Sequence, residues 1–155
     1  MDSREALGSW IDGPRATAEK MGADFGHRGA RLGLPEEGPG SIAPVGRRLG
    51  ALFVDGWLCT LIAYGLIARG DASQANLWST PVFFVMSVLL LSTAGSTLGK
   101  RLFGLRVVRL DGGRASVVQA LGRSLLLVLV VPALIWDRDG RGLHDKALAT
   151  VEVRV

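Results

Sequence analysis

Long stretches with almost no charge alternate with polar stretches along this chain. Residues 77–98 carry no charged side chain, and residues 49–68 carry only one, Asp55. An α-helix needs about 20 predominantly apolar residues to cross the hydrocarbon core of a bilayer. The pattern therefore predicts two transmembrane helices, over about 46–68 and about 77–98.

A third apolar segment, at about 116–136, is less regular than the first two. Arg123 lies near its start, and Pro132 would break a helix near its end. Its continuous apolar part, residues 124–136, has only 13 residues. A run of that length is more often re-entrant or interfacial than spanning. We therefore expect a bent or re-entrant third element that returns the C-terminus to the cytoplasmic side.

Two short stretches favour β structure. LRVVRL is followed by Asp-Gly-Gly, which is a turn signal. The C-terminal ATVEVRV alternates strictly, with a valine at every second position. We predict that about 105–111 and 149–155 pair in a small antiparallel ribbon. The predicted fold class is a mainly α-helical integral membrane protein with two clear transmembrane helices, a third irregular helix and a small cytoplasmic β-ribbon.

The N-terminal part differs in composition from the rest. Residues 1–45 are polar and rich in glycine and proline, and we predict a disordered tail there, followed by a membrane domain at 46–155. Within the tail, PRATAEKM at 14–21 favours a short helix. GLPEEGPGSIAP, at 33–44, is typical of a linker.

Charge is divided unevenly between these two parts. Residues 1–45 have a net charge of −2 and residues 46–155 a net charge of +6. Basic loops of a membrane protein face the cytoplasm and attract anionic lipid. The loop at 99–115 is the most basic, so we expect it and the N-terminus in the cytoplasm and residues 69–76 outside. The residues predicted to face anionic headgroups are Lys100, Arg101, Arg106 and Arg109.

The chain offers little for a metal, a cofactor or catalysis. It has one cysteine, Cys59, and two histidines, His27 and His144, so we expect no transition-metal site. No serine or cysteine is patterned with a histidine as a nucleophile and base would be, and we expect no enzyme activity and no cofactor. The basic residues lack the interleaved aromatics of a nucleic-acid interface, so we expect no nucleic-acid partner.

Asp55 raises a question, because a carboxylate inside a membrane span costs about 2.5–3.5 kcal/mol on insertion scales. It must face the bundle interior, find a partner or carry a proton. Arg48 lies two turns earlier on nearly the same helix face, but about 10 Å away along the axis, too far for a direct bond. Arg123 and His144 are the candidate partners in the C-terminal part.

Three motifs resemble the RDD family of bacterial membrane proteins: RRLGALFVDGW, then TLGKRLFGLRVVRLDG, then GRGLHDKALATVEV. The family is named for one arginine and two aspartates, and the resemblance assigns these to Arg48, Asp55 and Asp145. It covers about residues 44–155 and implies a multi-pass protein of the bacterial plasma (inner) membrane. Transport is proposed for the family, and cation–proton exchange is suggested for some members. Many members have more apolar sequence before the Leu-His-Asp motif than this chain has.

Two functions remain open at this point. In the first, Arg48, Asp55 and Asp145 form a structural polar cluster in an accessory or scaffolding membrane subunit. ALGSWI would then allow residues 1–40 to dock a partner protein, because it offers a Trp and two aliphatic side chains in a polar tail. The alternative is a small-solute or cation/proton transporter, working as a homo-oligomer, in which Asp55 takes up and releases the ion.

Overall fold

Two long apolar helices and a two-stranded ribbon are the main elements of the chain. The computed structural model describes residues 22, 26–129, 135, 137 and 140–155. The predicted helix at 14–21, the ALGSWI motif and Pro132 lie outside the described residues. In chain order the described elements are a 3-10 turn (Ala30–Leu32), α1 (Val45–Ile62), a π-helical turn (Ala63–Ile67), α2 (Ala72–Ala94), α3 (Leu98–Leu102), β1 (Leu105–Arg109), α4 (Val117–Val128), α5 (Leu143–Ala147) and β2 (Thr150–Arg154).

The two predicted long helices are confirmed. α1 continues through the π-helical turn to Ile67, and both this helix and α2 are long and apolar enough to cross a membrane. α2 begins five residues before the predicted start because Asp71 caps it, accepting hydrogen bonds from the backbone N–H groups of Ser73 and Gln74. It ends at Ala94 and is capped by Gly95, whose φ of 69° is readily adopted by glycine.

The third apolar segment forms a much shorter helix. α4 covers 12 residues and begins with a capping box between Ser116 and Gln119. At a rise of 1.5 Å per residue it is about 18 Å long, well short of a hydrocarbon core of about 30 Å. The expected re-entrant path of residues 116–136 stays a prediction, because residues 130–134 and 136 lie outside the described residues.

The predicted antiparallel ribbon is also confirmed. β1 pairs with β2 from Leu105 opposite Arg154 to Arg109 opposite Thr150. The chain then turns at 110–113, where the Asp-Gly-Gly motif predicts a turn.

A segment before α1 adds to the ribbon, which the sequence did not indicate. The N–H of Gly40 donates to the carbonyl of Arg154, and the N–H of Ala43 donates to the carbonyl of Glu152, over 2.8 and 2.9 Å. Ile42 is buried against valines of β2. Residues 40–43 therefore pair along the free edge of β2, in contrast to the predicted linker. A single isoleucine in a polar stretch gives no periodic signal, which is why hydropathy placed the boundary at residue 46.

The ribbon packs against the helices through two small apolar clusters. One consists of Leu91, Val107, Ala115 and Ala120, which joins α2, β1 and α4. The other consists of Ala43, Ala51 and Leu105, with Phe103 packed beside it. These contacts place the polar face of β2 against the start of α1, the end of α2 and the middle of α4, where the charged side chains meet.

Candidate functional site

Asp55 is bound by neutral groups of the loop that follows α2. Its Oδ1 accepts a 2.7 Å hydrogen bond from the backbone N–H of Gly99, and its Oδ2 accepts one from the hydroxyl of Thr97. Only 6% of the Asp55 surface is exposed. The expectation that Asp55 pairs with Arg123 is therefore wrong: Asp55 is held by these two dipolar donors, and Arg123 pairs with Asp145 and Glu152.

Glu152 is the centre of the buried charge network. Its Oε1 lies 3.0 Å from Nζ of Lys100, and its Oε2 lies 2.9 Å from Nη2 of Arg123. All three residues are at least nine-tenths buried. The network joins α3, α4 and β2, three elements that are distant in sequence.

Arg123 links this network to Asp145. Its Nη1 donates to Oδ1 of Asp145, an atom that also accepts a 3.1 Å hydrogen bond from the hydroxyl of Thr150. Arg123 thus bridges two carboxylates with the two arms of its guanidinium, a geometry that a lysine cannot reproduce. His144, predicted as a possible partner of the set Arg48, Asp55 and Asp145, lies beside Asp145, with Nε2 3.7 Å from Oδ2.

Burial and charge act in opposite directions on this network. Burial alone would raise the pKa of the Glu152 carboxyl, but the charges of Lys100, Arg123 and Arg48 outweigh it and hold that pKa well below its usual range. Burial lowers the pKa of the Lys100 ammonium to about 8, although Glu152 opposes the shift. The glutamate is therefore a stable anion that balances the buried cations around it.

Arg48 binds neither of the two aspartates with which the sequence grouped it. Its Nη1 donates a 2.9 Å hydrogen bond to the carbonyl of Gly140. Its Nε and Nη2 are buried and have no acceptor within the described part of the chain. Arg48, Asp55 and Asp145 thus each have their own partners and do not form one directly bonded cluster.

One of the four basic residues predicted to face lipid is in fact buried. Lys100 is only 8% exposed and pairs with Glu152, whereas Arg101, Arg106 and Arg109 are exposed. Successive residues of a helix point about 100° apart, so in α3 one basic residue can face inward while the next faces outward. A count of charges along the loop cannot distinguish a buried basic residue from an exposed one.

Four residues that supply polar groups to the site were not predicted from the sequence: Thr97, Gly99, Thr150 and Glu152. Glu152 did carry a signal, because it is the only carboxylate within the two strands. Glu152 lies between two valines in an alternating strand, so it shares one face of that strand with Thr150. A two-stranded ribbon must pack one of its faces against another element, and Glu152 could lie on that face. Thr97 and Gly99 carried no comparable signal.

The described residues include no group of three or more His, Cys, Asp or Glu side chains that could hold a metal ion. The family model described as "RDD family" matches residues 42–149, which is most of the chain. Arg48, Asp55 and Asp145 lie inside this match, and Glu152 lies three residues beyond it. Neither the curated proteins nor the solved structures give a match.

Proposed function

The chain belongs to the RDD family, and we propose that it is a multi-pass membrane protein that serves as an accessory or scaffolding subunit. In this proposal the buried charges fix the packing of the membrane domain and do not move ions. The hydrogen bonding of Asp55 carries the argument, since both of its oxygens are held by fixed donors. These donors tie the side chain of α1 to the segment that follows α2, which is the contact expected of a residue that fixes helix packing.

The outer surfaces of α1 and α2 support a location in the membrane. Large apolar side chains point away from the rest of the chain, and several are more than half exposed: Phe53, Trp57, Leu66, Leu77 and Leu89. Contiguous apolar surface of this kind is unfavourable in water and is satisfied by lipid tails. The core helix of a water-soluble protein would instead be mostly buried.

The ribbon supports the proposed topology. Because β1 and β2 pair, the loop between α2 and α4 and the C-terminus lie on the same side of the membrane. The basic residues of that loop favour the cytoplasmic side of the bacterial plasma membrane. With α1 and α2 as the two spans, the N-terminus is cytoplasmic as well, and the exposed Arg101, Arg106 and Arg109 lie where anionic headgroups can reach them.

The proposed partner is a protein that docks on the N-terminal tail. Gly40, the last residue of the predicted docking segment 1–40, already pairs with Arg154 of the ribbon, so we place docking on the residues before it. Catalysis, cofactor binding and nucleic-acid binding have no part in this proposal. Deletion of residues 1–25 should abolish co-purification of the partner while the membrane domain keeps its thermal stability; loss of stability alone would contradict tail docking.

The deciding experiment compares wild type with Asp55→Asn in sealed proteoliposomes. We expect no proton movement driven by Na⁺ or K⁺ in either protein, and a lower melting temperature for Asp55→Asn. The matched control is Asp111→Asn, because Asp111 is exposed and, among the described residues, contacts only its own turn, through Arg109 and the backbone N–H of Gly113. Ion flux in wild type that disappears in a folded Asp55→Asn protein would overturn the proposal in favour of the transporter.

A further inference from the structure

A cavity of about 100 Å³ lies between the start of α1, the end of α2, α4 and the ribbon. A cavity of about 150 Å³ holds a benzene molecule, so this one has room for a group of the size of a carboxylate or phosphate. Six ionisable side chains line it: Arg48, Asp55, Lys100, Arg123, His144 and Glu152. The rest of its wall is mainly apolar and includes Leu52, Phe83 and Leu127.

The unused hydrogen-bonding capacity of this cavity lies with its cations. Each oxygen of the two carboxylates that line it, Asp55 and Glu152, already accepts a hydrogen bond. Arg48 retains two buried donor groups without an acceptor, and Arg123 retains one, within the described residues. Asp145 also has an oxygen without a hydrogen bond, but Asp145 does not line the cavity. A ligand that forms hydrogen bonds with these unpaired donor groups must therefore bring acceptor atoms, as an anion does.

The start of α1 adds to this preference for an anion. Val45, the first residue of α1, lines the cavity. No side chain caps this helix end, and no acidic residue lies in its first turn. Free N–H groups at a helix N-terminus favour negative charge. Arg48 and this helix end lie together at one wall of the cavity, whereas the charge of Arg123 is balanced by Glu152 and Asp145.

An open groove of about 340 Å³ adjoins the cavity. It shares Leu52, Phe83 and Leu127 with the cavity and passes on to Gly56 and Thr60 of α1. From Arg48 to Thr60 the rise along α1 is about 18 Å. A charged chamber thus leads into a long groove along the two spans, and this shape fits a molecule with an anionic head and an acyl chain.

We propose that the cavity and groove together bind one anionic phospholipid, with its phosphate beside Arg48 and Arg123 and one acyl chain along the groove. This rests on the proposed membrane location of α1 and α2. Arginine binds phosphate well because its planar guanidinium matches two phosphate oxygens. A zwitterionic lipid would bring its own cation close to the three basic side chains, so an anionic headgroup is preferred.

The test titrates the full-length protein in nonionic detergent with dioleoylphosphatidylglycerol or dioleoylphosphatidylcholine, and counts bound lipid by native mass spectrometry. We expect one phosphatidylglycerol per chain, bound about tenfold more tightly than phosphatidylcholine. Arg48→Gln should weaken this binding about tenfold by removing head contacts. Gly56→Phe should weaken it by filling the groove, where a side chain has open space around it.

Two control variants separate this site from the general surface. Arg101→Gln removes an exposed charge of the same loop, and Gly65→Phe adds a ring to the same helix outside the groove, also in open space. Both should bind phosphatidylglycerol as wild type does. Melting temperatures of all four variants establish that they are folded.

Three outcomes would overturn the proposal. Equal losses in Arg48→Gln and Arg101→Gln would indicate attraction to the surface only. Binding that Gly56→Phe leaves unchanged would exclude the groove, and full competition by inorganic phosphate would make the ligand a free anion. A different result would contradict the proposed membrane location itself, namely extraction of the protein from cell membranes by alkaline carbonate. Failure of the proposed function can therefore be told apart from failure of the lipid site.

Discussion

The backbone N–H of Gly99 points directly at Asp55, donating a 2.7 Å hydrogen bond to its Oδ1. This contact requires glycine, because a Cβ at position 99 would overlap the carbonyl oxygen of Ala51 and lie 2.9 Å from Cγ of Asp55. The approach joins α3 to the middle of α1. It also gives the buried carboxylate a donor that cannot move away without unfolding the loop.

The first prediction concerns this approach. Gly99→Ala should lower the free energy of unfolding by about 1–3 kcal/mol, as overpacking of a tight contact does. Thermal unfolding in detergent measures the change. The matched control is Gly56→Ala on α1, where an added Cβ meets nothing within 4 Å and the helix should be unaffected or slightly more stable. Equal effects of the two substitutions would contradict the close packing of α3 on α1.

The second prediction concerns the centre of the charge network. Glu152→Gln leaves Lys100 and Arg123 buried with reduced compensation, and breaking a buried pair in this way costs about 3–5 kcal/mol. Abundance in the membrane and melting temperature should both fall. The double variant Lys100→Met with Glu152→Gln should recover part of the loss, because it removes one uncompensated cation. If the single variant is as stable as wild type, Glu152 does not hold the network together.

The third prediction is a dependence on acid. Lys100, Arg123 and Arg48 hold the pKa of Glu152 below its usual range despite burial, and a glutamate in an unfolded chain has a pKa of about 4.3. The unfolded state therefore takes up the proton first as the pH falls. Glu152 contributes stability that is fully present above about pH 4.3 and is lost as the pH falls below it.

Melting temperatures measured from pH 7 downward check this dependence. Below about pH 4.3 the curve of wild type should fall more steeply than that of Glu152→Gln. Parallel curves would show that other carboxylates govern the acid response.

Patterns that depend on neighbours in sequence predicted most of the fold. The two long apolar helices followed from continuous apolar runs, and the ribbon followed from strict alternation and the Asp-Gly-Gly turn. Ile42 shows the limit of such patterns. Its pairing with Val153 depends on two segments that are far apart in the chain, and a single apolar residue carries no period.

The site was predicted less well, because the choice of partners is a three-dimensional property. The sequence picked out Arg48, Asp55, Arg123 and Asp145 as buried charges, but it sought a cation for Asp55. The actual donors are a hydroxyl and a backbone N–H, which stand out in no charge pattern. Arg123 instead pairs with Asp145 and with Glu152. The burial of Glu152 depends on how the ribbon packs against the helices.

The last prediction concerns topology. If α1 and α2 span the membrane as proposed, the pairing of β1 with β2 puts residues 111 and 155 on one side and residue 73, at the start of α2, on the other. Cys59 is the only cysteine in the chain, so Cys59→Ala gives a background for single labels. Asp111→Cys, Val155→Cys and Ser73→Cys each place a thiol at an exposed position. In intact cells a membrane-impermeant maleimide should label only Ser73→Cys, and in inverted vesicles only the other two. Labelling of Val155→Cys together with Ser73→Cys would mean that the third apolar segment crosses the membrane, and the ribbon could not then form.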